Sequence, residues 1–222
     1  HGTALNQADF QHMADRGMKL IWSPRSNMFL YGKTTSIDLA RQVSPHLVVA
    51  LAPDWSMGGS VNLIDELNYA AQLDKQLWGG ILTTKDLVKM VTSEAAKAIE
   101  VQEQLGTIET GKLADLFVLS GDINDPYSAL VYSRPTQVRL VMVNGQVLYG
   151  DSYLLPAASL TDCETEVVCS SSRFICVKES STSSKLNQSL SDIRGAISTA
   201  LQTYDTQHGT KYSPVAPLVK CP

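Results

Sequence analysis

Apolar residues along this chain recur in two rhythms, one of helical period and one of strand length. Between Asn6 and Arg16, Phe10, Met13 and Ala14 share a helical face, and Gly17 stands where a C-cap glycine would. Lys19 to Ser23 reads as a short buried strand stopped by Pro24, and Ser23 to Asn27 as the turn that follows it. Thr35 to Val43 predicts a second helix through Ile37, Leu39 and Ala40. Leu47 to Ala52 is unbroken apolar sequence ending at Pro53-Asp54, as in a parallel strand covered on both faces. Asn62 to Leu73 and Thr84 to Val101 predict two more helices, the second opened by a Thr83-x-x-Asp86 capping box. Strand and helix alternating over residues 1–101 indicate an α/β layer.

The rhythm changes after Gly106. Leu116 to Leu119, Val138 to Val143 and Gln146 to Tyr149 are strands, the last two joined by Asn144-Gly145, a strong hairpin signal. This stretch reads as a small antiparallel unit. Beyond Asp151, Ser170 to Ser172 and Ser180 to Ser184 read as loops. Leu186, Leu190, Ile193, Ile197, Leu201 and Tyr204 step by three and four, predicting one amphipathic helix packed on the body of the protein.

Composition narrows the partners. The 222 residues are 44% hydrophobic and 18% charged, with net charge −4 and no Lys/Arg run, so a nucleic-acid footprint is not expected. No apolar run approaches the roughly 18–20 residues of a membrane helix. The chain opens HGTALNQADF, without Met or a signal-peptide pattern, and is expected to be a processed or truncated piece. Its four cysteines, Cys163, Cys169, Cys176 and Cys221, all lie in the last third. Their C-x5-C and C-x6-C spacings do not suit a zinc ribbon. The even, clustered count predicts disulfides of open pairing, and with them a periplasmic or secreted location.

Few residues stand out as chemistry. Asp54 ends an apolar strand, where α/β barrels place catalytic groups, and can serve as metal ligand or general base. It can equally cap the loop that follows. Arg25 can clamp an anionic group and Asn27 can donate and accept hydrogen bonds, or both can simply belong to a turn. His1 has no role assignable from local sequence. His12, His46 and His208 form no ligand pair and are read as surface or packing residues. No phosphate-cradling loop and no nucleophile elbow is present.

Several segments in order carry a family likeness. They are His1-Gly2, Ser23-Pro24-x-Ser26-Asn27, Leu30-x-Gly32, Asp54-Trp55-Ser56 with Gly59-Ser60, and Gly106-x-Ile108-x-x-Gly111-Lys112-x-Ala114-Asp115-Leu116. Over roughly residues 1–151 the chain resembles the C-terminal half of metal-dependent amidohydrolases of the imidazolonepropionase, cytosine deaminase and triazine hydrolase type. The resemblance implies an α/β fold made of three parts. Residues 1–104 would be the end of a (β/α)8 TIM barrel, from the end of strand 6 through strand 8. Residues 105–151 would be part of a composite β-sandwich, and residues 152–222 a cysteine-containing extension. Lys19 to Ser23 is then strand 7 and Leu47 to Ala52 strand 8.

The resemblance also implies roles. Asp54 matches the family aspartate that binds the metal and shuttles a proton from the hydrolytic water. His1 matches the strand-6 histidine, which binds a second metal or contacts substrate. Arg25 and Asn27 would border the substrate pocket, and Asp115 would be structural. The cofactor implied is a divalent metal, zinc first, with iron or manganese as alternatives. The reaction implied is hydrolysis of a non-peptide carbon–nitrogen bond in a small molecule, namely an amide, a cyclic amide or an amino-substituted ring. The family's H-x-H on strand 1 and its strand-5 histidine are not among these 222 residues. The metal shell therefore needs the missing N-terminal half of the barrel, and the chain alone is expected to be inactive. The parent is further expected to be capable of forming a homo-oligomer. A disulfide from the Cys163–Cys176 cluster to Cys221 would staple the extension. Two other classes remain in view: a non-catalytic scaffold that kept the fold, and a secreted disulfide-bonded interaction module.

Overall fold

In the computed structural model, residues 1–158, 162–168, 170–178, 188–209 and 214–215 are described. The chain forms two compact units, His1–Leu113 with Ser120–Gln137, and Ala114–Leu119 with Val138–Pro222. Residues 120–137 thus return to the first unit.

The first unit follows the α/β rhythm. Helix α1 (Gln7–Asp15) starts at Asn6, whose side chain caps it while Asp9 bonds back to the Asn6 N–H. Strand β1 (Leu20–Trp22) precedes α2 (Pro24–Tyr31) and α3 (Ile37–Ala40), and β2 (Val49–Leu51) lies parallel to β1, with Leu20 opposite Val49 and Trp22 opposite Leu51. Helices α4 (Leu63–Trp78), α5 (Thr84–Val91), α6 (Ser93–Ala98) and α7 (Pro126–Val131) complete the unit. Phe10, Trp22, Ile37, Leu47, Leu67, Leu87 and Val131 fill one continuous core. All of β2 is buried, whereas Ile21 in the middle of β1 is 42% exposed. Coverage on both faces holds for the second strand and fails for the first.

Three sequence expectations need correction here. The Ser23 to Asn27 turn is the start of α2: Pro24 occupies its first turn, where a missing N–H costs nothing. Thr35 to Val43 contains helix only over Ile37–Ala40, because buried Thr35 spends its hydroxyl on contacts described below. The long helix over Thr84 to Val101 breaks at Thr92, whose φ of −125° and ψ of −96° are not helical. The Thr92 hydroxyl bonds back to Val88 O, a contact that bends helices. A Cβ on Gly106 would stand 2.6 Å from Ala96 Cβ and 3.0 Å from Thr92 O, so this most recognisable glycine lets the chain cross the break. The expected capping box at Thr83 and Asp86 is present.

The second unit is a five-stranded antiparallel sheet ordered β3-β4-β5-β7-β6, from β3 (Leu116–Leu119), β4 (Val138–Val143), β5 (Gln146–Asp151), β6 (Glu164–Val168) and β7 (Ser171–Ile175). The expected hairpin turn is there, with Asn144 and Gly145 at φ 49° and 76°. Asp115 Oδ1 accepts the Asn144 N–H at 2.7 Å and Ala114 O accepts that of Gly145, so the Ala-Asp pair fastens the turn. Residues 171 and 172, read as loop, lie in β7 instead. Their strand is anchored by Phe174, which is wholly buried, and by the Arg173–Asp151 ion pair.

Cys163 and Cys176 form a disulfide that closes the β6–β7 hairpin. Cys169 and Cys221 lie outside the described residues, as do Ser180 to Ser184. The staple from this cluster to Cys221 cannot use Cys163 or Cys176, since each is the other's partner. With the two cysteines 13 positions apart in sequence, loss of the bond in Cys163→Ser is expected to cost about 3 kcal/mol by chain entropy. Urea unfolding with and without reductant measures it, and equal midpoints would show the bond to be energetically idle. The amphipathic helix is α8 (Leu190–His208), but none of its described residues is buried. It is held by polar contacts at its start, where Glu164 accepts from Leu190 N and Ser191 N and Arg194 pairs with Glu166. The Ser191 hydroxyl holds the Glu164 carboxyl below its ordinary range.

Candidate functional site

Beyond the end of β2 at Leu51 the chain passes Ala52 and Pro53 to Asp54, and a tight turn follows in which Gly59 N bonds Trp55 O at 2.9 Å. Asp54 Oδ2 lies 3.7 Å from His1 Nε2, both side chains about one-third exposed. The fold therefore brings together the two residues that local sequence could not connect. Gly2 makes this possible: at φ +67°, an added Cβ would meet Leu20 Cδ1 at 3.0 Å and Thr35 Cγ2 at 3.1 Å.

The other face of the His1 ring is engaged by α2. Asn27, wholly buried, places Nδ2 2.9 Å from His1 Nδ1. Thr34 Oγ1 accepts the indole N–H of Trp22 at 2.8 Å and lies 3.3 Å from Asn27 Oδ1. Thr35 Oγ1 donates to His1 O at 2.5 Å. Strand β1, the start of α2 and the following loop thus converge on one imidazole. Aromatic side chains border it: Tyr31 meets His1 edge-on at 5.5 Å, and Phe29 meets Trp55 at 6.1 Å.

Arg25 sits elsewhere. Its guanidinium lies 5.4 Å from the Tyr69 ring centroid, over a cavity of about 480 Å³ shared with Asp65, Asn68, Tyr132 and Arg134. Asn27 is not among the residues that line this cavity. It contacts His1, whereas Arg25 faces Tyr69.

Sequence reasoning missed Glu66. It is completely buried in α4, and its Oε1 accepts the Arg25 N–H at 3.2 Å. Burial pushes its carboxyl up from the ordinary 4.5, helped by the nearby Asp54 charge and opposed by Ser60 and Arg25. The signal was available: Glu66 lies on the apolar stripe with Ala70 and Leu73, where a lone carboxylate demands a partner.

His1 and Asp54 are chemically suited to a divalent ion. Among the described residues, however, no group of three His, Cys, Asp or Glu side chains converges. A catalytic zinc needs about three protein ligands, so these residues do not by themselves form its shell. No helix of the described residues is long and apolar enough to cross a membrane.

The sequence model of the amidohydrolase family matches residues 6–148. The chain is 28% identical over 160 residues to a 5-methylthioadenosine/S-adenosylhomocysteine deaminase of Caldanaerobacter subterraneus, covering 67% of this chain and 36% of that protein. A deaminase of the same name from Syntrophus aciditrophicus is 27% identical over 167 residues, covering 70% and 37%. An adenosine deaminase from Xanthomonas campestris, solved with bound zinc, superposes with a TM-score of 0.60 at 24% identity, over 66% of this chain and 35% of that one. Guanine deaminase of E. coli gives 0.59 at 20% identity, over 68% and 38%. The chain thus spans little more than a third of these relatives.

Proposed function

The chain belongs to the amidohydrolase family, and from that premise we propose that it is the C-terminal part of a metal-dependent hydrolase of deaminase type. Its substrate is a small molecule with a non-peptide carbon–nitrogen bond. The observation that carries this reading is the His1–Asp54 pair at 3.7 Å, at the end of a parallel strand. Supporting it are relatives named as methylthioadenosine and S-adenosylhomocysteine deaminases.

In this reading Asp54 accepts the proton of the attacking water and delivers it to the leaving nitrogen. His1 stands beside it as a contact to metal or substrate, oriented by Asn27. A divalent ion, zinc first, would be held in part by Asp54 and would lower the pKa of its bound water towards about 7. Its other protein contacts would come from residues outside this chain. The Cys163–Cys176 bond supports an oxidising compartment, periplasmic or extracellular.

The test is ammonia release from an amino-substituted ring such as 5-methylthioadenosine. It compares zinc-loaded longer protein carrying these residues with the isolated 222-residue chain. Turnover is expected in the first and none in the second. Robust turnover by the isolated chain would remove the shared metal shell. Zinc-independent binding without turnover by the longer protein would favour a non-catalytic scaffold.

A further inference from the structure

The cavity beside Tyr69 gathers the two arginines whose guanidiniums meet no anionic partner. The chain has seven arginines. Four pair with a carboxylate, and Arg16 donates to the carbonyl oxygen of His12. The guanidiniums of Arg25 and Arg134 do neither among the described residues, and both line the same space of about 480 Å³. Each residue is fixed through its main-chain N–H by a side-chain oxygen: Glu66 Oε1 at 3.2 Å for Arg25, and Gln137 Oε1 at 2.9 Å for Arg134. The Arg25 guanidinium also lies 5.4 Å from the Tyr69 ring centroid, which steadies it without neutralising it. Glu66, whose charge Arg25 feels, is wholly buried, and burial pushes its carboxyl up, so it offsets less of the arginine charge. Asp65, the carboxylate of the lining, is already engaged: its Oδ2 accepts from Asn62 Nδ2 at 2.8 Å in the cap of α4. Asn68 and Gln72 on α4 add amides, and no aliphatic side chain of the described residues lines the space.

We propose that this cavity is a binding site for a small polar molecule bearing a phosphate or carboxylate group, with Arg25 and Arg134 as its anion clamp. Each guanidinium presents a planar fork of N–H donors that matches the paired oxygens of such a group. The space is of the size that holds a small organic molecule, more than a bare ion fills. The amides and hydroxyls around it suit hydroxyl groups on the body of the ligand. An apolar body would strip water from those groups and return no hydrogen bond. Neither His1 nor Asp54 lines the cavity. Binding there needs neither metal nor turnover, so it stands or falls apart from the hydrolase reading.

The 222-residue chain is titrated with glucose 6-phosphate, gluconate and glucose at constant ionic strength, and ¹H–¹⁵N NMR follows the amides of Asn68, Gln72 and Arg134. Saturable shifts are expected at about 1 mM, the weak end of specific affinity, with glucose 6-phosphate or gluconate and not with glucose. The tighter of the two anions tells whether phosphate or carboxylate is preferred. Arg25→Ala and Arg134→Ala are each expected to weaken binding about tenfold, the loss of a charge-assisted hydrogen bond. Both side chains are exposed, and their main-chain N–H bonds survive the substitution, so both variants are expected to fold. Lys75→Ala removes an exposed cation of α4 that lies outside the lining and is expected to leave binding unchanged. The proposal is overturned by shifts of equal size with glucose, by no saturable shift with either anion, by an arginine variant that binds like wild type, or by equal weakening in Lys75→Ala.

Discussion

Asp54→Asn is expected to lower hydrolysis by the longer protein about 10²–10⁴-fold, the range of a lost general base, while leaving its thermal midpoint where it was. The two halves of that expectation have separate origins. The rate falls because an amide cannot take up the water proton. The stability holds because the Asp54 side chain is 36% exposed and its one ion pair, to His1, is long. Exposed substitutions of this kind stay within about 0.5 kcal/mol. Steady-state kinetics beside differential scanning calorimetry separates them. An unchanged kcat would exclude Asp54 as proton acceptor. A fallen midpoint with unchanged kcat would give it the loop-capping role that local sequence also allowed.

Glu66→Ala is expected to destabilise the protein by about 2–4 kcal/mol, combining a cavity with a stranded N–H on Arg25. Glu66→Gln keeps both shape and acceptor and is expected to cost about 1 kcal/mol or less. The pair of variants also separates charge from packing. The Glu66 carboxyl titrates higher in the folded protein than its ordinary 4.5. The proton is therefore held more tightly in the folded state than in the unfolded one. That contribution to stability is complete below about pH 4.5 and is lost as pH rises through the raised folded value. Urea unfolding across this window is expected to show the decline in wild type and its absence in Glu66→Gln. Parallel curves for the two proteins would mean that Glu66 titrates like an exposed carboxyl.

The parts of the fold that the sequence made legible are those fixed by near neighbours. The capping box at Thr83 and the Asn144-Gly145 turn each close within a few residues, so pattern alone suffices. Where distant residues decide, reading failed. Pro24 looks like a stop until its backbone is seen starting a helix, and Thr92 breaks a periodic stretch because Gly106 crosses there. Strand β7 was hidden by the exposed serines 171 and 172 at its start. The site divides in the same way. Asp54 could be picked from its strand, and His1 only through the family likeness. The groups that orient His1, namely Asn27, Thr34 and Thr35, are ordinary in type and gain a role only from their placement. Arg25, a possible clamp for an anionic group by its type, lies over the Tyr69 ring.

The parallel pairing of β1 with β2 sets an order in time as well as in space. Leu20 finds its partner only at Val49, with α2 and α3 between them. A chain emerging from the ribosome therefore gains the β2 neighbour of β1 only once Leu51 has been made and freed from the tunnel. Closing that long a loop costs entropy that nearby contacts recover only afterwards. The helices between the strands shorten the effective loop, so early formation of α2 speeds the meeting of the strands. The same helix carries Asn27 to His1. In this protein the element that hastens assembly of the sheet is also the one that orients the imidazole.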